Sequence, residues 1–176
     1  MRQWILAGDE RMHWILELIV DIAVGAALAL LLRRFVCVFA VVKGRSMMDT
    51  LHNGDILFAL RRGLCGGLRR FDVVLCRYPH RRQLFVKRIV ALPGERVAIE
   101  DGVLMVDGEP VEESFTLRRT RRDMVERTLG TREYFVLGDN RPSSRDSRSV
   151  GPIQEEMILA AARCIVFPPR RIRRLR

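Results

Sequence analysis

The pattern of hydrophobic positions divides the chain near residue 34. The run WILELIVDIAVGAALALLLRR, residues 14–34, is mostly apolar, and as a helix at about 1.5 Å per residue it approaches the thickness of a bilayer. Glu17 and Asp21 lie four positions apart on one face of that helix, and the apolar stretch after them is too short to span a bilayer alone. The pattern predicts a membrane-anchoring helix at 14–34 after an N-terminal flank at 1–13. An interfacial amphipathic helix or a buried core helix is the alternative.

Positive charge flanks this helix on both sides. Arg33 and Arg34 directly follow the apolar run, where a secretory signal peptide would have a small-residue cleavage site, so we expect the segment to be retained. Arg2 and Arg11 precede the run, so counting positive charges does not choose between the two membrane orientations.

Beyond residue 34 the apolar residues come in short runs separated by turn signals. The pairs Asp101-Gly102 and Asp107-Gly108 predict two tight turns between strands. We therefore predict a mainly β domain over residues 35–168. Its strands are expected in FVCVFAVV, DILFAL, FDVVLCRY, LFVKRIVAL, ERVAIEDGVLMVDGEPV, EYFVLGD and AARCIVFP.

Three other stretches depart from the strand pattern. Residues 112–132 are polar and arginine-rich, which predicts an inserted surface excursion or mobile loop. The stretch PIQEEMILAAA, residues 152–162, predicts a helix of one or two turns. Residues 169–176 form a basic tail, which we expect to be solvated or to face a membrane.

The composition favours a polyanionic partner. The chain has 31 Lys and Arg against 21 Asp and Glu, a formal charge of +10, which attracts nucleic acid or the headgroups of an anionic membrane. Neither an RNA-binding aromatic signature nor helix-turn-helix spacing accompanies the arginine pairs. We therefore expect an anionic phospholipid membrane and no nucleic acid as a partner.

The four cysteines do not indicate a metal site. They form no CxxC pair and have no histidine nearby at ligand spacing, so we predict no metal. Three full disulfide connectivities are possible for four cysteines and the sequence does not choose among them; we predict no disulfide.

A serine and a lysine are the candidates for chemistry. Ser46, in VKGRSMMDTL, needs a base to become a nucleophile; without one it is a turn serine that caps a backbone group. Lys87, in LFVKRIVALPGE, shares one strand face with Phe85 and Ile89. Such apolar company favours the neutral amine that a lysine base requires. The alternative for Lys87 is an edge-strand lysine that discourages aggregation.

The stretch LGDNRPSSRDSRSVGPI, residues 137–153, is rich in alternating charge. Its acids and arginines surround Ser143, Ser144 and Ser147, an arrangement that builds a hydrogen-bonded ion-pair scaffold beside a site or, alternatively, a solvated loop.

Four stretches in this order resemble the type I signal peptidases, serine proteases that use a Ser-Lys dyad. GRSMMDTLHNGD is similar to their nucleophile box, RRFDVVL to the next strand, FVKRIVALPGE to the general-base box and GDNRPSSRDSR to the late Gly-Asp-Asn-Arg box. The resemblance runs from about Arg33 to Pro168 and implies the β-fold shared by signal peptidases and LexA-like proteins.

The resemblance also implies roles for individual residues. Ser46 becomes the nucleophile, with its backbone N–H in the oxyanion hole, and Lys87 the general base. The supporting positions are Ser144, which orients the lysine; Asp139, Asp146 and Arg148, which form structural ion pairs; and Met47, which lines the substrate-binding region.

The implied activity is that of a membrane-bound serine endopeptidase. It removes signal peptides from secreted preproteins after small residues, in an Ala-x-Ala pattern, and uses no cofactor. The resemblance implies a single-pass protein of the cell membrane with its catalytic domain on the extracytoplasmic side.

Two residues depart from the family's pattern. Asp49 stands where the family usually has proline, and Gly44 stands where some members have a serine that adds an oxyanion donor. Two alternative functions stay open: a non-catalytic, membrane-tethered β module of the same family, and a LexA-like self-cleaving Ser-Lys protein, which should carry a DNA-binding domain in place of the hydrophobic helix.

Overall fold

The computed structural model describes residues 3–116, 120 and 122–175, with side chains from residue 13 onward. The chain divides into two units, Met1–Val36 and Cys37–Arg176.

The first unit is a single helix, α1, Gln3–Phe35. Its segment His13–Phe35 has a mean hydropathy of 2.5, and no part of this stretch is buried. A helix of 23 residues, at about 1.5 Å per residue, is long enough to cross a bilayer. The helix is therefore long and apolar enough to span a membrane, and it begins earlier than predicted because the flank from Gln3 onward is also helical.

The second unit is mainly β, as predicted. A short helix, α2, spans Ser147–Val150. The strands are β1 Cys37–Val41, β2 Ile56–Arg61, β3 Val73–Cys76, β4 Phe85–Ala91, β5 Arg96–Glu100, β6 Val103–Val106, β7 Glu109–Pro110, β8 Met124–Thr128, β9 Glu133–Leu137, β10 Ile153–Gln154, β11 Ile158–Phe167 and β12 Arg173–Arg174.

These strands form two antiparallel sheets. The larger has the order β1-β2-β11-β3-β4-β9-β10, with β12 pairing with β11, and the smaller has the order β7-β6-β5-β8. In the larger sheet β4 lies between β3 and β9: its first residues, Phe85–Arg88, pair with β3, and its last residues, Arg88–Ala91, pair with β9.

Two hairpins of the smaller sheet turn where the sequence predicts. Asp101 and Gly102 join β5 to β6 with φ values of 48° and 74°, and Asp107 and Gly108 join β6 to β7 with 53° and 84°. Positive φ at both central positions is the requirement of a type I′ turn, and Asp-Gly meets it at little steric cost.

The predicted helix at residues 152–162 is wrong. The structure has β10, one turn of 3₁₀ helix at Glu155–Met157 and the start of the long strand β11. Ala160, Ala161 and Ala162 are buried in β11, which pairs with β2 on one side and β3 on the other. Backbone pairing on both sides and burial of both faces outweigh the weak helix preference of alanine.

The excursion at residues 112–132 contains a strand that the pattern missed. β8 pairs with β5 in the smaller sheet, yet four of its five residues are exposed and only Met124 is half-buried. Because β8 lies at a sheet edge and buries little, its sequence lacks the apolar alternation by which strands are recognised.

The basic tail is joined to the domain. β12 extends the larger sheet, and Leu175 is buried in an apolar cluster together with Met47. The Arg171 guanidinium donates to the buried Asp55 carboxylate over 2.9 and 3.0 Å. Burial raises the pKa of Asp55, but the Arg171 bond and the His52 backbone N–H outweigh burial and hold that pKa below its ordinary value.

The cysteines lie apart from one another. All four, Cys37, Cys65, Cys76 and Cys164, are free thiols.

We predict that Arg171→Ala lowers the free energy of unfolding by about 1–3 kcal/mol, because it leaves the buried Asp55 carboxylate without its guanidinium partner. The measurement is thermal or denaturant unfolding of the full chain in detergent. Since the pKa of Asp55 is lowered on folding, the pair stabilises the protein above the ordinary carboxyl pKa and loses this effect as the pH falls through the folded value.

The matched control is Arg170→Ala, which removes the same charge from an exposed neighbour. It should change the free energy of unfolding by less than about 0.5 kcal/mol. Equal losses in the two variants would mean that the tail acts through its net charge and not through Asp55.

Candidate active site

Ser46 lies in a tight turn between β1 and β2. The turn is closed by backbone bonds from Thr50 and Leu51 to the Met47 carbonyl, at 2.9 and 2.6 Å. Met47 and Leu51 are anchored in the core with 2% and 0% exposure. The buried apolar side chains after Ser46 therefore hold the turn in place and leave the hydroxyl half-exposed.

Gly44 has the backbone conformation that this turn requires. Its φ is 99°, a conformation that side chains rarely adopt, and its N–H donates to Asn53 Oδ1 over 3.1 Å. A side chain here would meet open space but would be strained by the backbone, so glycine suits this loop better than serine.

Lys87 lies on β4, opposite Val74 of β3, and its side chain is turned to the same place as Ser46. The distance from Lys87 Nζ to Ser46 Oγ is 2.6 Å, and Lys87 is 2% exposed. Burial lowers the pKa of Lys87, and the more distant carboxylates of Asp146 and Asp139 only partly oppose this effect. The strand pattern that predicted apolar surroundings for Lys87 therefore agrees with its position.

The neighbouring residue, Arg88, is also buried, but its positive charge is balanced by an ion pair and hydrogen bonds. Its Nε and Nη2 donate to the Asp139 carboxylate over 2.9 and 2.8 Å, and its Nη1 donates to the Phe71 carbonyl over 2.8 Å. The Phe115 ring lies 4.0 Å from the guanidinium carbon. The Thr50 hydroxyl donates to Asp139 over 2.5 Å, so this ion pair joins β4 to the turn that carries Ser46.

A second ion pair holds the loop after β9. Arg148 Nε and Nη2 each donate to the Asp146 carboxylate over 2.8 Å. Asp146 also accepts the Gly138 N–H over 3.0 Å and caps the N-terminus of α2. Asp146 therefore fixes the loop that faces the Ser46 turn.

Backbone contacts from this loop reach the Ser46 turn directly. The Asn140 N–H donates to the Ser46 carbonyl over 3.1 Å, and its side-chain amide donates to the Arg45 carbonyl over 3.0 Å. A Cβ at Gly138 would collide with the Ser46 carbonyl and with Ser144, so only glycine allows this close approach. Sequence reasoning did not single out Asn140, Gly138, Thr50 or Arg88, although the first two lie in the Gly-Asp-Asn-Arg stretch.

Ser144 lies beside the Ser46 turn. Its Oγ is buried and has no hydrogen-bond partner among the residues that the structure describes, so its role in orienting Lys87 stays a prediction. Met47 lines the groove beside Ser46, but its side chain belongs to the core; the exposed methionine is Met48, at 45%. Asp49, which replaces the usual proline, lies half-buried in the same turn.

A groove runs past the two reactive side chains. One wall is formed by residues 41–47 and the other by residues 83–87, with Ser143 and Arg145 at the side. Within residues 3–116, 120 and 122–175, the Ser46 backbone N–H makes no hydrogen bond and is available to a ligand. The same part of the chain contains no group of three His, Cys, Asp or Glu side chains that could hold a metal ion. A hydroxyl beside a dehydrated amine and a free N–H can support nucleophilic attack on a carbonyl.

Sequence comparison relates the chain to known proteins. The family described as "Signal peptidase, peptidase S26" matches residues 15–167. The chain is 33% identical over 159 residues to signal peptidase I T of Bacillus subtilis (strain 168), covering 84% of this chain and 82% of the relative. It is 34% identical over 145 residues to signal peptidase I of Bacillus caldolyticus, covering 73% and 78%. A crystal structure of a signal peptidase I from Enterococcus faecalis V583 matches 54% of this chain and 96% of its own, with a TM-score of 0.49 and 28% identity.

We predict that Asp139→Asn lowers the free energy of unfolding by about 3–5 kcal/mol, because it leaves the Arg88 guanidinium buried without a countercharge. The measurement is denaturant unfolding of the full chain in detergent. Both partners of this pair have side chains that are 1% exposed, so water cannot replace the lost carboxylate.

The matched control is Glu156→Gln, the same carboxylate-to-amide change in a pair with Arg132 whose side chains are about half exposed. We expect a loss of at most about 1 kcal/mol there. A loss in Asp139→Asn no larger than in the control would show that Arg88 finds another partner or water.

Proposed function

The chain belongs to the signal peptidase family, peptidase S26, whose members are serine endopeptidases that remove signal peptides, and we propose that Ser46 and Lys87 are its catalytic pair. The observation that carries this proposal is the 2.6 Å distance between Lys87 Nζ and Ser46 Oγ, at a lysine that is 2% exposed. A serine hydroxyl becomes a nucleophile only when a base takes its proton, and a dehydrated neutral amine within hydrogen-bond distance is such a base.

The first half of the proposed reaction forms an acyl-enzyme. Lys87 accepts the proton of the Ser46 hydroxyl as Oγ attacks the scissile carbonyl carbon. The unpaired Ser46 N–H donates to the oxygen that becomes negative, while Lys87 then gives its proton to the departing amine. Gly44 supplies no side-chain donor, so a second oxyanion donor would come from backbone N–H groups or from another residue.

The second half restores the enzyme. Lys87, neutral again, takes a proton from a water molecule as the water oxygen attacks the acyl carbon. The bond from that carbon to Ser46 Oγ then breaks, Lys87 returns the proton to Oγ, and the new carboxyl group leaves. Each proton that Lys87 accepts is returned in the following step, so the cycle closes with residues of this chain and needs no cofactor.

The groove suggests how the substrate is held. We propose that an extended signal-peptide segment adds as a strand along Phe85–Lys87, the part of β4 that pairs with β3 on one side and not with β9 on the other. Buried side chains such as Met47 leave shallow space at the floor, which suits the small residues of an Ala-x-Ala site. The preprotein is thereby cut at the end of its signal peptide.

The supporting residues are proposed to hold the reactive side chains in place without contacting the substrate. Asp146 with Arg148 and Asp139 with Arg88 are proposed to hold the loop and the strand that present Lys87 to Ser46. The Ser144 hydroxyl, which is buried beside Gly138 without a partner among the described residues, is proposed to orient the lysine when substrate enters.

The membrane attachment follows from the first helix. We propose that α1 anchors the chain as a single-pass protein of the cell membrane, with the second unit on the extracytoplasmic side where exported preproteins emerge. Ser46 comes soon after Phe35, the last residue of α1, which suits a substrate cut close to the membrane. The net charge of +10 favours contact with anionic phospholipids, and no nucleic acid takes part.

We predict that the full chain in detergent cleaves a preprotein after the second alanine of an Ala-x-Ala site. Ser46→Ala and Lys87→Met should each lower kcat by about 1,000-fold or more, because each removes one member of a pair that acts as a unit. The measurement is the amount of mature product, with its N-terminus identified by sequencing.

The exposed Ser114→Ala is the control, and it should retain the activity of the native chain. If none of the folded proteins cleaved the preprotein, the non-catalytic β module would be the better description, and Asp49→Pro would be the next variant. Retained cleavage in Lys87→Met would remove the lysine from the mechanism.

We also predict that kcat/KM rises with pH and levels off below the ordinary lysine pKa of 10.5, because Lys87 must be deprotonated to act and burial lowers its pKa. The measurement is a pH profile on a substrate without titratable groups near the cut. A profile that still rises above pH 10.5 would contradict a dehydrated lysine base.

A further inference from the structure

Three exposed cations line the groove that contains Ser46 and Lys87. Lys43 and Arg45 lie on either side of Gly44 in the wall that leads to the nucleophile, and Arg145 lies in the loop on the other side. All three therefore line the same groove as the reactive hydroxyl. No Asp or Glu is among the described residues that line it.

These cations differ from the other arginines near the site. Arg88, Arg141 and Arg148 each bind a carboxylate of the domain, at Asp139, Glu113 and Asp146. By contrast, the side chains of Lys43, Arg45 and Arg145 form no ion pair or hydrogen bond with any residue in the described part of the chain. Like charges held together repel one another, and a negative ligand relieves that repulsion.

The proposed reaction indicates which part of a substrate meets these charges. In that reaction the residues before the cut are small, and those further upstream are apolar, because they belong to the signal peptide. Only the first residues of the mature protein are free to carry charge close to the scissile bond. A carboxylate there would be attracted by the three cations, and a basic side chain would be repelled.

We infer that this groove selects preproteins whose mature sequence begins with acidic residues and disfavours those that begin with basic residues. This inference rests on the proposed function and narrows its substrate class. The cations are exposed, so water and salt weaken each contact, and the selection appears as a difference in rate between substrates and not as an absolute requirement.

The test uses three preproteins that share one signal peptide and one Ala-x-Ala site. Their second and third mature residues are Glu-Glu, Gln-Gln or Lys-Lys, and kcat/KM is measured with the full chain in zwitterionic detergent. We expect kcat/KM for Glu-Glu to exceed that for Lys-Lys by about tenfold at low salt, and the ratio to fall in about 0.5 M salt.

The double variant Lys43→Gln/Arg145→Gln should reduce this ratio to less than about threefold, because two of the three cations are gone. The matched control is Arg170→Gln/Arg174→Gln, which removes two exposed charges from outside the groove and should keep the ratio of the native chain. The ratio is compared within each enzyme, so a change in overall activity does not affect the result.

Equal rates for the three preproteins would overturn the inference while cleavage itself, abolished by Ser46→Ala, would still support the proposed function. No cleavage of any preprotein by the native chain would instead contradict the proposed function. If the charge of the substrate had no effect in detergent, but the double variant lost binding to vesicles containing phosphatidylglycerol, the cations would act on lipid headgroups, and the inference would be wrong.

Discussion

A lysine amine loses its hydration when its side chain is buried, and the charged form of the amine loses more free energy than the neutral form. Lys87 is in this position: it is 2% exposed, it lies on β4 opposite Val74 of β3, and its nitrogen is beside Ser46 Oγ. The arrangement depends on the register of β4. Because side chains alternate along a strand, a slip of one residue would bring Arg88, which stays charged, to the position of the amine.

The two adjacent cationic residues of β4 show how the fold separates a reactive group from a structural one. Arg88 forms a buried ion pair with Asp139 and a contact with the Phe115 ring, so its charge is compensated where water is absent. Lys87 forms no ion pair among the described residues, and burial therefore lowers its pKa. Strand β4 thus carries one permanently charged residue, Arg88, which connects the strand to the rest of the site. It also carries one amine, that of Lys87, which can exchange a proton.

The chemistry and the substrate contacts use different physical environments. Around Lys87 the side chains that line the groove include buried ones, such as Lys87 itself and Met47 of the core. At its rim the charges are exposed, and electrostatic attraction there is weak and sensitive to salt. An apolar floor suits the small residues before the cut, whereas the rim meets residues that differ from one preprotein to another.

The sequence by itself determined the apolar helix, the mainly β domain, the Asp-Gly turns and the apolar surroundings of Lys87, because each depends on local periodicity or on the backbone freedom of particular residues. It was wrong at residues 152–162, where pairing on both sides of β11 outweighed the helix preference of three alanines, and it missed β8, whose residues are mostly exposed. Only the tertiary structure decided that Asp139 pairs with Arg88, that Asn140 holds the Ser46 turn, and that the Ser144 hydroxyl is buried beside that turn. These contacts join segments far apart in the chain, and their partners are chosen by the strand order and register of the folded sheet.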